Sequence, residues 1–450
     1  MGLSGIQIFQ QLPKTNCKEC GVPTCLAFAM NLAAGKAELS ACKYVTEAAK
    51  QKLAAESAPP IRTVEIGVGA GAFKIGGELV LFRHEKTFIN PTGLALLVSD
   101  DESDQAVDGK LQRFKALSYV RVGLTLKGEA VAVRCVTGNP SKFAALVTKV
   151  KSQTDRGIVL MSENPEVMKE AVKACADRRP LLYAATPANA DAMAALAKEY
   201  KLPLAAKAPD LEALAALTDK LVAAGVPDLV IDSGSRKIRQ TLHDQIHLRE
   251  AAIQKKFKSF GYPTIALPFE MTGDPSMETV YASLLLAKYA GLVVLSDFND
   301  SNLFSLLLER LNIFTDPQRP MKTDQGIYEL NNPGPESPVL VTSNFSLTYF
   351  IVSGEIESSR VPAYLAVLDT EGLSVLTAWA AGKFVGDLLG SFIKKSGIEG
   401  KLTKRRLVIP GAVAVILGDL EEELGSNWSV LVGPRDGSSI PTFLKKNFGN

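Results

Sequence analysis

The middle of the chain alternates short runs of β-branched and other apolar residues with longer Ala-, Leu- and Lys-rich segments that have helical spacing. Such alternation is typical of parallel strands connected by helices. Eight runs are interpreted as strands, at residues 94–98, the region 120–136, 158–161, 181–184, 204–207, 229–231, 265–267 and 292–295. Eight strands of this kind predict a (β/α)8 barrel.

Polar residues follow several of these strands, namely Ser99-Asp100, 162–164, 232–234 and Ser296-Asp297. Side chains at the carboxyl ends of barrel strands gather at the rim where such barrels bind ligands. The same residue types also begin helices, so helix capping is an equally open explanation. Upstream of the barrel, the glycine-rich stretch 67–71 leads into more strand-like sequence and not into a helix. It therefore predicts a hairpin in preference to a phosphate-binding loop.

The last third of the chain starts after a linker at 331–338 that is rich in proline and turn residues. Apolar runs at 339–341, 364–368, 407–409 and 430–432 predict strands, and helical spacing predicts helices at 345–352 and 374–392. Each strand leads into a polar or glycine-containing loop. This pattern predicts a small doubly wound, Rossmann-like α/β domain whose loops and helix N-termini share one edge.

Four of the six cysteines, Cys17, Cys20, Cys25 and Cys42, fall within the first 42 residues. A helix is predicted at 26–39 and a second one at 44–56, before two prolines produce an extended linker. A module this small builds little core, so metal ligation would supply much of its folding energy. The pattern predicts three domains, at 1–57, 58–325 and 326–450.

Thiolates in a Cys-x-x-Cys pair can bind either zinc or an iron-sulfur cluster. Zinc sites usually contain a second Cys-x-x-Cys or a pair of histidines, whereas Cys42 stands alone and no histidine lies nearby. A single fourth thiolate favours a 4Fe-4S cluster, with zinc or an uncoordinated set as the alternatives. His243 and His247 have the four-residue spacing of zinc peptidases, but Asp244 replaces the glutamate that acts there as general base.

Composition narrows the class of protein. The 450 residues are 46% hydrophobic and 22% charged, with a formal net charge of +2, so a nucleic-acid partner is not expected. The amino terminus does not have the pattern of a signal peptide, and no apolar run of about 18 residues is present. We expect a cytoplasmic protein without membrane segments, in which disulfides are the weaker interpretation of the cysteines.

Three segments resemble one known family: TNCKECGVPTC at 15–25, GGELVLFRHEKTF at 76–88 and TEGLSVLT at 370–377. Together with the domain order, they resemble the large subunit of the corrinoid iron-sulfur protein over the whole chain. The chain is also similar to the gamma subunit of archaeal acetyl-CoA decarbonylase/synthase.

The resemblance implies a methyl carrier of the reductive acetyl-CoA (Wood-Ljungdahl) pathway and thus a subunit of a methyltransferase system. A cobamide in the last domain would take a methyl group from methyltetrahydrofolate and give it to acetyl-CoA synthase. A 4Fe-4S cluster on Cys17, Cys20, Cys25 and Cys42 would restore the reduced cofactor after accidental oxidation.

Further expectations follow from this resemblance. The corrinoid contacts are expected at strand ends of the last domain, at Thr342, Asn344, Ser346, Thr370, Glu371, Gly372, Leu373 and Gly433. No residue of this chain is expected to be catalytic itself. The implied partners are a small subunit in a heterodimer, a methyltetrahydrofolate methyltransferase, acetyl-CoA synthase, and a reductive activator or ferredoxin.

Two other functions remain open from the sequence. One is an iron-sulfur electron-transfer protein without a corrinoid. The other is a pterin-dependent methyltransferase whose active site is the barrel of this chain.

Overall fold

The computed structural model describes residues 5–33, 37, 39–46, 49, 53, 59–121, 124–316 and 321–449. These form two compact units. One unit comprises Met1–Ser118 and Lys127–Phe314, and the other comprises Tyr119–Leu126 and Thr315–Asn450. The three domain limits predicted above stay predictions, because the first unit includes both the cysteine-rich segment and the barrel.

The cysteine-rich segment contains helix α1, Gly5–Gln11, and helix α2, Cys25–Ala33. Ile8 and Leu12 pack with Phe28 and Ala29 in a small apolar cluster. Helix α2 begins one residue before the predicted start, and a short 3₁₀ turn follows at Leu39–Ala41. Most of the predicted helix at 44–56 lies outside the described residues.

Eight parallel strands close into a barrel in chain order, as the sequence predicts. The strands of the first unit are a hairpin, β1 Thr63–Ile66 and β2 Phe73–Gly76, and then the barrel strands. Those are β3 Gly93–Ser99, β6 Ala130–Arg134, β7 Gly157–Met161, β8 Leu181–Ala185, β9 Leu204–Lys207, β10 Leu229–Asp232, β11 Thr264–Ala266 and β12 Ala290–Leu295. Strands β4, Tyr119–Arg121, and β5, Leu124–Leu126, form an antiparallel hairpin that is inserted before β6 and belongs to the second unit.

Helices follow the barrel strands. They are α3 Asp104–Ala116, α4 Pro140–Gln153, α5 Pro165–Cys175, α6 Ala190–Tyr200, α7 Leu211–Ala223, α8 Ile238–Ile253, α9 Pro275–Ala287 and α10 Asp300–Phe314. Several begin with a polar cap and a proline, for example Asn164, whose Oδ1 accepts from the N–H groups of Glu166 and Val167. Part of the polar sequence after the strands therefore serves helix capping.

The β1–β2 hairpin covers the amino-terminal end of the barrel. Val64 and Ile75 are fully buried in the same core as the barrel strands. The Phe73 ring lies so close to β3 and β7 that a Cβ on Gly93 or Gly157 would come within 2.7 or 2.6 Å of it. The prediction of a hairpin at this glycine-rich stretch is confirmed.

Arg310 on the last barrel helix connects the first strands of the barrel. Its guanidinium donates to the Thr92 carbonyl (2.8 Å) and to Oε2 of Glu129 (2.7 Å). The same carboxylate oxygen accepts from the Leu94 N–H at 3.0 Å. Because Arg310 is buried, removal of either charged group would leave the other charge without its partner, which would destabilise the fold.

The second unit contains five strands in the order β13-β15-β14-β16-β17. They are β13 Gly326–Leu330, β14 Val339–Ser343, β15 Ala363–Leu368, β16 Arg406–Ile409 and β17 Ser429–Val432. Strand β13, which the sequence analysis missed, is antiparallel to β15, and the other neighbours are parallel.

Helices cover both faces of this sheet: α11 Ser346–Ser359, α12 Val375–Ala380, α13 Gly386–Lys395, α14 Leu417–Leu424 and α15 Ile440–Phe448. Val339 and Val341 pack with α13 and α14, whereas Leu340 packs with α11 and α15. This alternation confirms the doubly wound fold. The single helix predicted at 374–392 is wrong, because Gly382 (φ 71°) ends α12 and the chain turns before α13.

We predict that Arg310→Met destabilises the barrel by roughly 3 kcal/mol, because it leaves the Glu129 carboxylate without its buried cation. Urea unfolding followed by hydrogen exchange of the β3 and β6 amides measures this loss. Arg239→Met, at an exposed position on α8, is the matched control. Equal stability of the two variants would contradict the prediction.

Candidate functional site

Three of the four amino-terminal cysteines belong to or pack against one small apolar cluster. Cys25 and Cys42 are buried within it, Cys20 packs against it half-buried, and Cys17 is exposed. All four thiols are free. Cys25 is the first residue of α2, and Cys42 follows the turn at Leu39–Ala41. Two loops and one helix terminus thus deliver the predicted ligands to one module.

The loop before α2 is held to Cys25 by Asn16. The Cys25 N–H donates to Asn16 Oδ1 at 2.8 Å, and the Asn16 N–H donates to the Cys25 Sγ at 3.4 Å. Lys14, Asn16 and Lys18 have positive φ angles between 48° and 64°, so the backbone turns on both sides of Cys17. Backbone N–H groups directed at sulfur are typical surroundings of thiolate ligands.

A second contact connects the loop to the residues after Cys42. The Tyr44 hydroxyl donates to Glu19 Oε1 at 2.7 Å, and the Lys43 ammonium lies 3.4 Å from Glu19 Oε2. The hydrogen bond from Tyr44 lowers the pKa of Glu19. The pKa of Tyr44 is raised, mainly by that carboxylate and further by the nearby Cys17 and Cys42. Glu19 and Tyr44 therefore join the segments that contain the first and the last cysteine.

The residues of this module fit a cluster with one thiolate per corner, since they offer four free sulfurs and an N–H donor to one of them. Across the described ranges, which include all four cysteines, no group of three or more His, Cys, Asp or Glu side chains has the arrangement to hold a metal ion. His243 and His247 are exposed on α8 with ring centroids 6.3 Å apart, whereas Asp244 between them is buried.

Asn344 organises the loops at the carboxyl edge of the C-terminal sheet. Its Oδ1 accepts two hydrogen bonds at 3.0 Å, from the Thr370 N–H and the Gly372 N–H, and the Thr370 hydroxyl oxygen lies 3.0 Å from the same atom. Its Nδ2 donates to Asp369 Oδ1 at 2.8 Å. Burial alone would raise the pKa of Asp369, but hydrogen bonds from the Glu371 N–H and from Asn344 hold it below its usual value.

The predicted loop at 370–373 is tightly wound around this amide. Glu371 and Gly372 have φ angles of 59° and 80°, and the Thr370 hydroxyl donates to the Leu373 carbonyl at 2.8 Å. The Glu371 carboxylate forms an ion pair with Lys383. Six of the eight predicted contact residues therefore lie on two adjoining segments, at 344–346, where α11 begins, and at 370–373.

A cavity of about 290 Å³ lies at the same edge of the sheet. The chain leaves β14 to one side for β15 and returns on the other side as β16, and this reversal opens a crevice between the ends of β14 and β16. The cavity walls are mainly apolar, with Ile351 and Val352 from α11 and Ile409 from β16. A doubly wound sheet binds its ligands in this position.

Two of the predicted residues, Thr342 and Gly433, line the cavity. Sequence reasoning missed other lining residues, including Thr348, Ser374, Ala412, Arg435 and Asp436. Ala412, Arg435 and Asp436 come shortly after predicted strands, so their position in strand-ending loops could have identified them from the sequence.

Three buried hydroxyls at this edge have no partner among the described residues, those of Thr342, Ser343 and Ser346. Buried hydroxyls normally form hydrogen bonds. Of the three residues only Thr342 lines the cavity, so its hydroxyl fits a ligand that offers amide or phosphate groups. Gly411 and Gly433 also allow two loops to meet, because a Cβ on Gly411 would lie 2.4 Å from the Gly433 carbonyl oxygen.

The carboxyl end of the barrel contains an ion network of its own. The Tyr183 hydroxyl donates to Asp232 Oδ2 at 2.6 Å, and Arg236 donates to the same carboxylate oxygen at 2.9 Å. Arg236 also pairs with Glu270. Burial raises the pKa of Tyr183 well above its usual value. The charged side chains at this rim satisfy one another.

No helix among the described residues has both the length and the apolar character needed to cross a membrane.

Comparison with known proteins finds matches in the same order along the chain as the cysteine module and the two larger α/β regions. A family described as "CO dehydrogenase/acetyl-CoA synthase delta subunit" matches residues 63–444, and one described as "Putative Fe-S cluster" matches residues 12–44. The chain is 46% identical to the corrinoid/iron-sulfur protein large subunit of Moorella thermoacetica, over 100% of both chains. The chain belongs to the corrinoid/iron-sulfur protein large-subunit family.

This corrinoid/iron-sulfur family includes archaeal relatives. The chain is 37% identical to the acetyl-CoA decarbonylase/synthase complex subunit gamma of Archaeoglobus fulgidus, covering 99% of this chain and 98% of that one. Among solved structures, dihydropteroate synthase from Thermus thermophilus has a TM-score of 0.38 and 14% identity, covering 54% of this chain and 97% of that one. The resemblance inferred from the three sequence motifs is confirmed.

We predict that Asn344→Ala loosens the loop at 370–373, because the buried N–H groups of Thr370 and Gly372 lose their acceptor, a loss of about 2 kcal/mol. Hydrogen exchange of this loop should become faster while the barrel peptides stay unchanged. Asn447→Ala removes an exposed side-chain hydrogen bond on α15 and is the matched control. Unchanged protection of the Thr370 and Gly372 amides would contradict the role assigned to Asn344.

Proposed function

We propose that the chain is the cobamide-binding, iron-sulfur subunit of a methyl-carrying protein in the acetyl-CoA pathway. The observation that carries the proposal is the presence, in one chain, of a four-cysteine module and of a cavity at the switch point of a doubly wound sheet. Membership of the corrinoid/iron-sulfur family supports both cofactors.

The carboxyl edge of the C-terminal sheet has the chemistry to hold the cobamide. When bound, this cofactor supplies a nucleophilic cobalt that accepts a methyl group from a pterin donor and passes it on. Thr342, which lines the cavity, offers an unpaired hydroxyl to its amides or phosphate. Ile351, Val352 and Ile409 offer apolar walls to a planar group, and the loop around Asn344 fixes the edge of the site.

No histidine follows His247 in the sequence. If the last domain held the cobamide, it would do so without an imidazole of its own, and no nitrogen donor from these residues would oppose reduction of the cofactor.

The four cysteines are proposed to hold a 4Fe-4S cluster, which supplies single electrons for returning the oxidised cofactor to its active form. Cys25 and Cys42 are shielded from water by Ile8, Leu12 and Phe28. The expected partners, namely the small subunit, the methyltransferase, acetyl-CoA synthase and a reductive activator or ferredoxin, are part of this proposal. So are the folate donor and the cytoplasmic location.

Metal analysis tests both cofactors together. Protein purified without oxygen with its small subunit should contain about four iron and four sulfide per chain, as a 4Fe-4S cluster requires, and cobalt. Iron without cobalt would instead favour the electron-transfer protein. Binding of methyltetrahydrofolate to the isolated chain would instead favour the methyltransferase barrel. Against that alternative, the polar side chains of Tyr183, Asp232 and Arg236 at the barrel rim already bond to one another, and Arg236 also pairs with Glu270.

We predict that Cys42→Ala blocks reductive reactivation, because the cluster loses a corner ligand. Cobalt should stay bound, because the cavity wall at Thr342 lies 300 residues away in the sequence. Reactivation by a low-potential reductant is followed in the visible spectrum. Cys135→Ser changes a half-buried thiol of the barrel unit and should reactivate normally. Retained reactivation in Cys42→Ala would remove the cluster from the mechanism.

We also predict that Ala412→Phe lowers cobalt content several-fold while iron stays unchanged, because the ring would fill the cavity between β14 and β16. Val415→Phe is the matched control, since Val415 lies on the same short 3₁₀ segment but is 70% exposed. Both contents are measured on the same samples. Equal cobalt in the two variants would place the cobamide elsewhere.

A further inference from the structure

The pair of hydrogen bonds between Asn16 and Cys25 joins two ligand segments of the proposed cluster. Asn16 directly precedes Cys17, and Cys25 opens α2. The side chain of Asn16 accepts the Cys25 N–H at 2.8 Å, while the backbone N–H of Asn16 donates to the Cys25 sulfur at 3.4 Å. Each bond fixes the geometry of the other.

An asparagine suits this position for two reasons. Its φ of 48° lies in the left-handed region, which asparagine adopts more readily than most residues. In addition, the Cys25 N–H is one of the unpaired donors of the first helical turn, and a short side chain with an acceptor can satisfy it. Thr24 satisfies a different donor of the same turn, the Ala27 N–H, at 3.0 Å.

We propose that Asn16 is a positioning residue that sets the reduction potential of the cluster. Its side chain holds the loop so that its own N–H points at the Cys25 sulfur. This inference rests on the proposed function, since it needs a cluster bound to Cys25. Asn16 acts through Cys25 and takes no part in methyl transfer.

The physical reason is the change in charge on reduction. One electron passes from a chemical reductant to the cluster, and no proton has to move with it. The thiolate sulfurs then become more negative, so an N–H···S hydrogen bond is stronger in the reduced state than in the oxidised state. Such a bond raises the potential, and its loss makes reduction harder.

The test compares Asn16→Gly with Thr24→Ala in the complex of full-length chains. Glycine tolerates the positive φ but has no side chain to hold the loop. Thr24→Ala also removes a cap of α2, yet the hydroxyl it removes bonds to Ala27 and not to a sulfur. If Asn16 only stabilises the helix, both variants lower the melting temperature and neither changes the potential.

A dithionite titration followed by the electron paramagnetic resonance of the reduced cluster measures the midpoint. At the wild-type midpoint, the ratio of reduced to oxidised cluster in Asn16→Gly should fall about tenfold, which for one electron equals about 59 mV. Thr24→Ala should keep the wild-type midpoint. An iron-containing Asn16→Gly protein with an unchanged midpoint overturns the inference and leaves the proposed function intact.

A second measurement applies if Asn16→Gly does not retain iron. Asn31→Gln leaves Asn16 as the single asparagine within residues 1–57. With asparagine labelled by ¹⁵N at the backbone nitrogen, the reduced cluster of that protein should show one ¹⁵N coupling. Absence of this coupling also overturns the inference, whereas a protein devoid of iron and sulfide overturns the proposed function itself.

Discussion

The parallel direction of β14, β15, β16 and β17 is the constraint on which the proposed cobamide site depends. Parallel neighbours must place all their carboxyl ends, and thus all the loops that follow them, at one edge. The reversal of strand order between β14 and β16 then separates two of these loops and opens the cavity. An antiparallel sheet of the same sequence length would scatter Thr342, Pro410 and Gly433 over both edges.

Asn16 and Asn344 have similar roles in the two proposed cofactor sites, since the side chain of each one accepts a hydrogen bond from at least one backbone N–H group. Asn344 accepts the N–H groups of Thr370 and Gly372 at one amide oxygen, and Asn16 ties the Cys17 loop to the start of α2. In both cases a short amide satisfies backbone donors that a ligand loop would otherwise leave unpaired. The loops that are proposed to hold the two cofactors are thereby fixed without regular secondary structure.

The barrel is stabilised at both of its ends. Its amino-terminal end is closed by the β1–β2 hairpin, and Arg310 connects its last helix to its first two strands. At its carboxyl end, the side chains of Tyr183 and Arg236 both donate hydrogen bonds to Asp232. These features suit a rigid scaffold, which agrees with placing the methyl-carrying chemistry in the C-terminal domain.

Much of the fold follows from local sequence patterns. Apolar runs bounded by turn residues located seven barrel strands, since each buried strand has to be apolar on both sides. The predicted region 120–136 contains the remaining strand, β6, but also most of the antiparallel hairpin of β4 and β5, which the sequence analysis did not separate from it. The four-cysteine motif marked the cluster module because spacing along the chain decides which thiolates one loop can present. The break between α12 and α13 was missed, since Gly382 within an otherwise helical pattern does not reveal a left-handed turn. The edge strand β13 was missed as well, because its partly exposed residues have no strong apolar run.

The sequence by itself determined the order of the modules and the strands and predicted the cysteine ligands, because periodicity and ligand spacing are local properties. Only the tertiary structure decided which strand-ending loops meet at a cavity, since Thr342, Ser374, Ala412 and Gly433 are separated by up to 91 residues. It also decided that Asn16 reaches Cys25 and that Asn344 reaches the loop at 370–373. These contacts arise from chain crossings and backbone turns, which depend on how the whole domain packs and leave little trace in local composition.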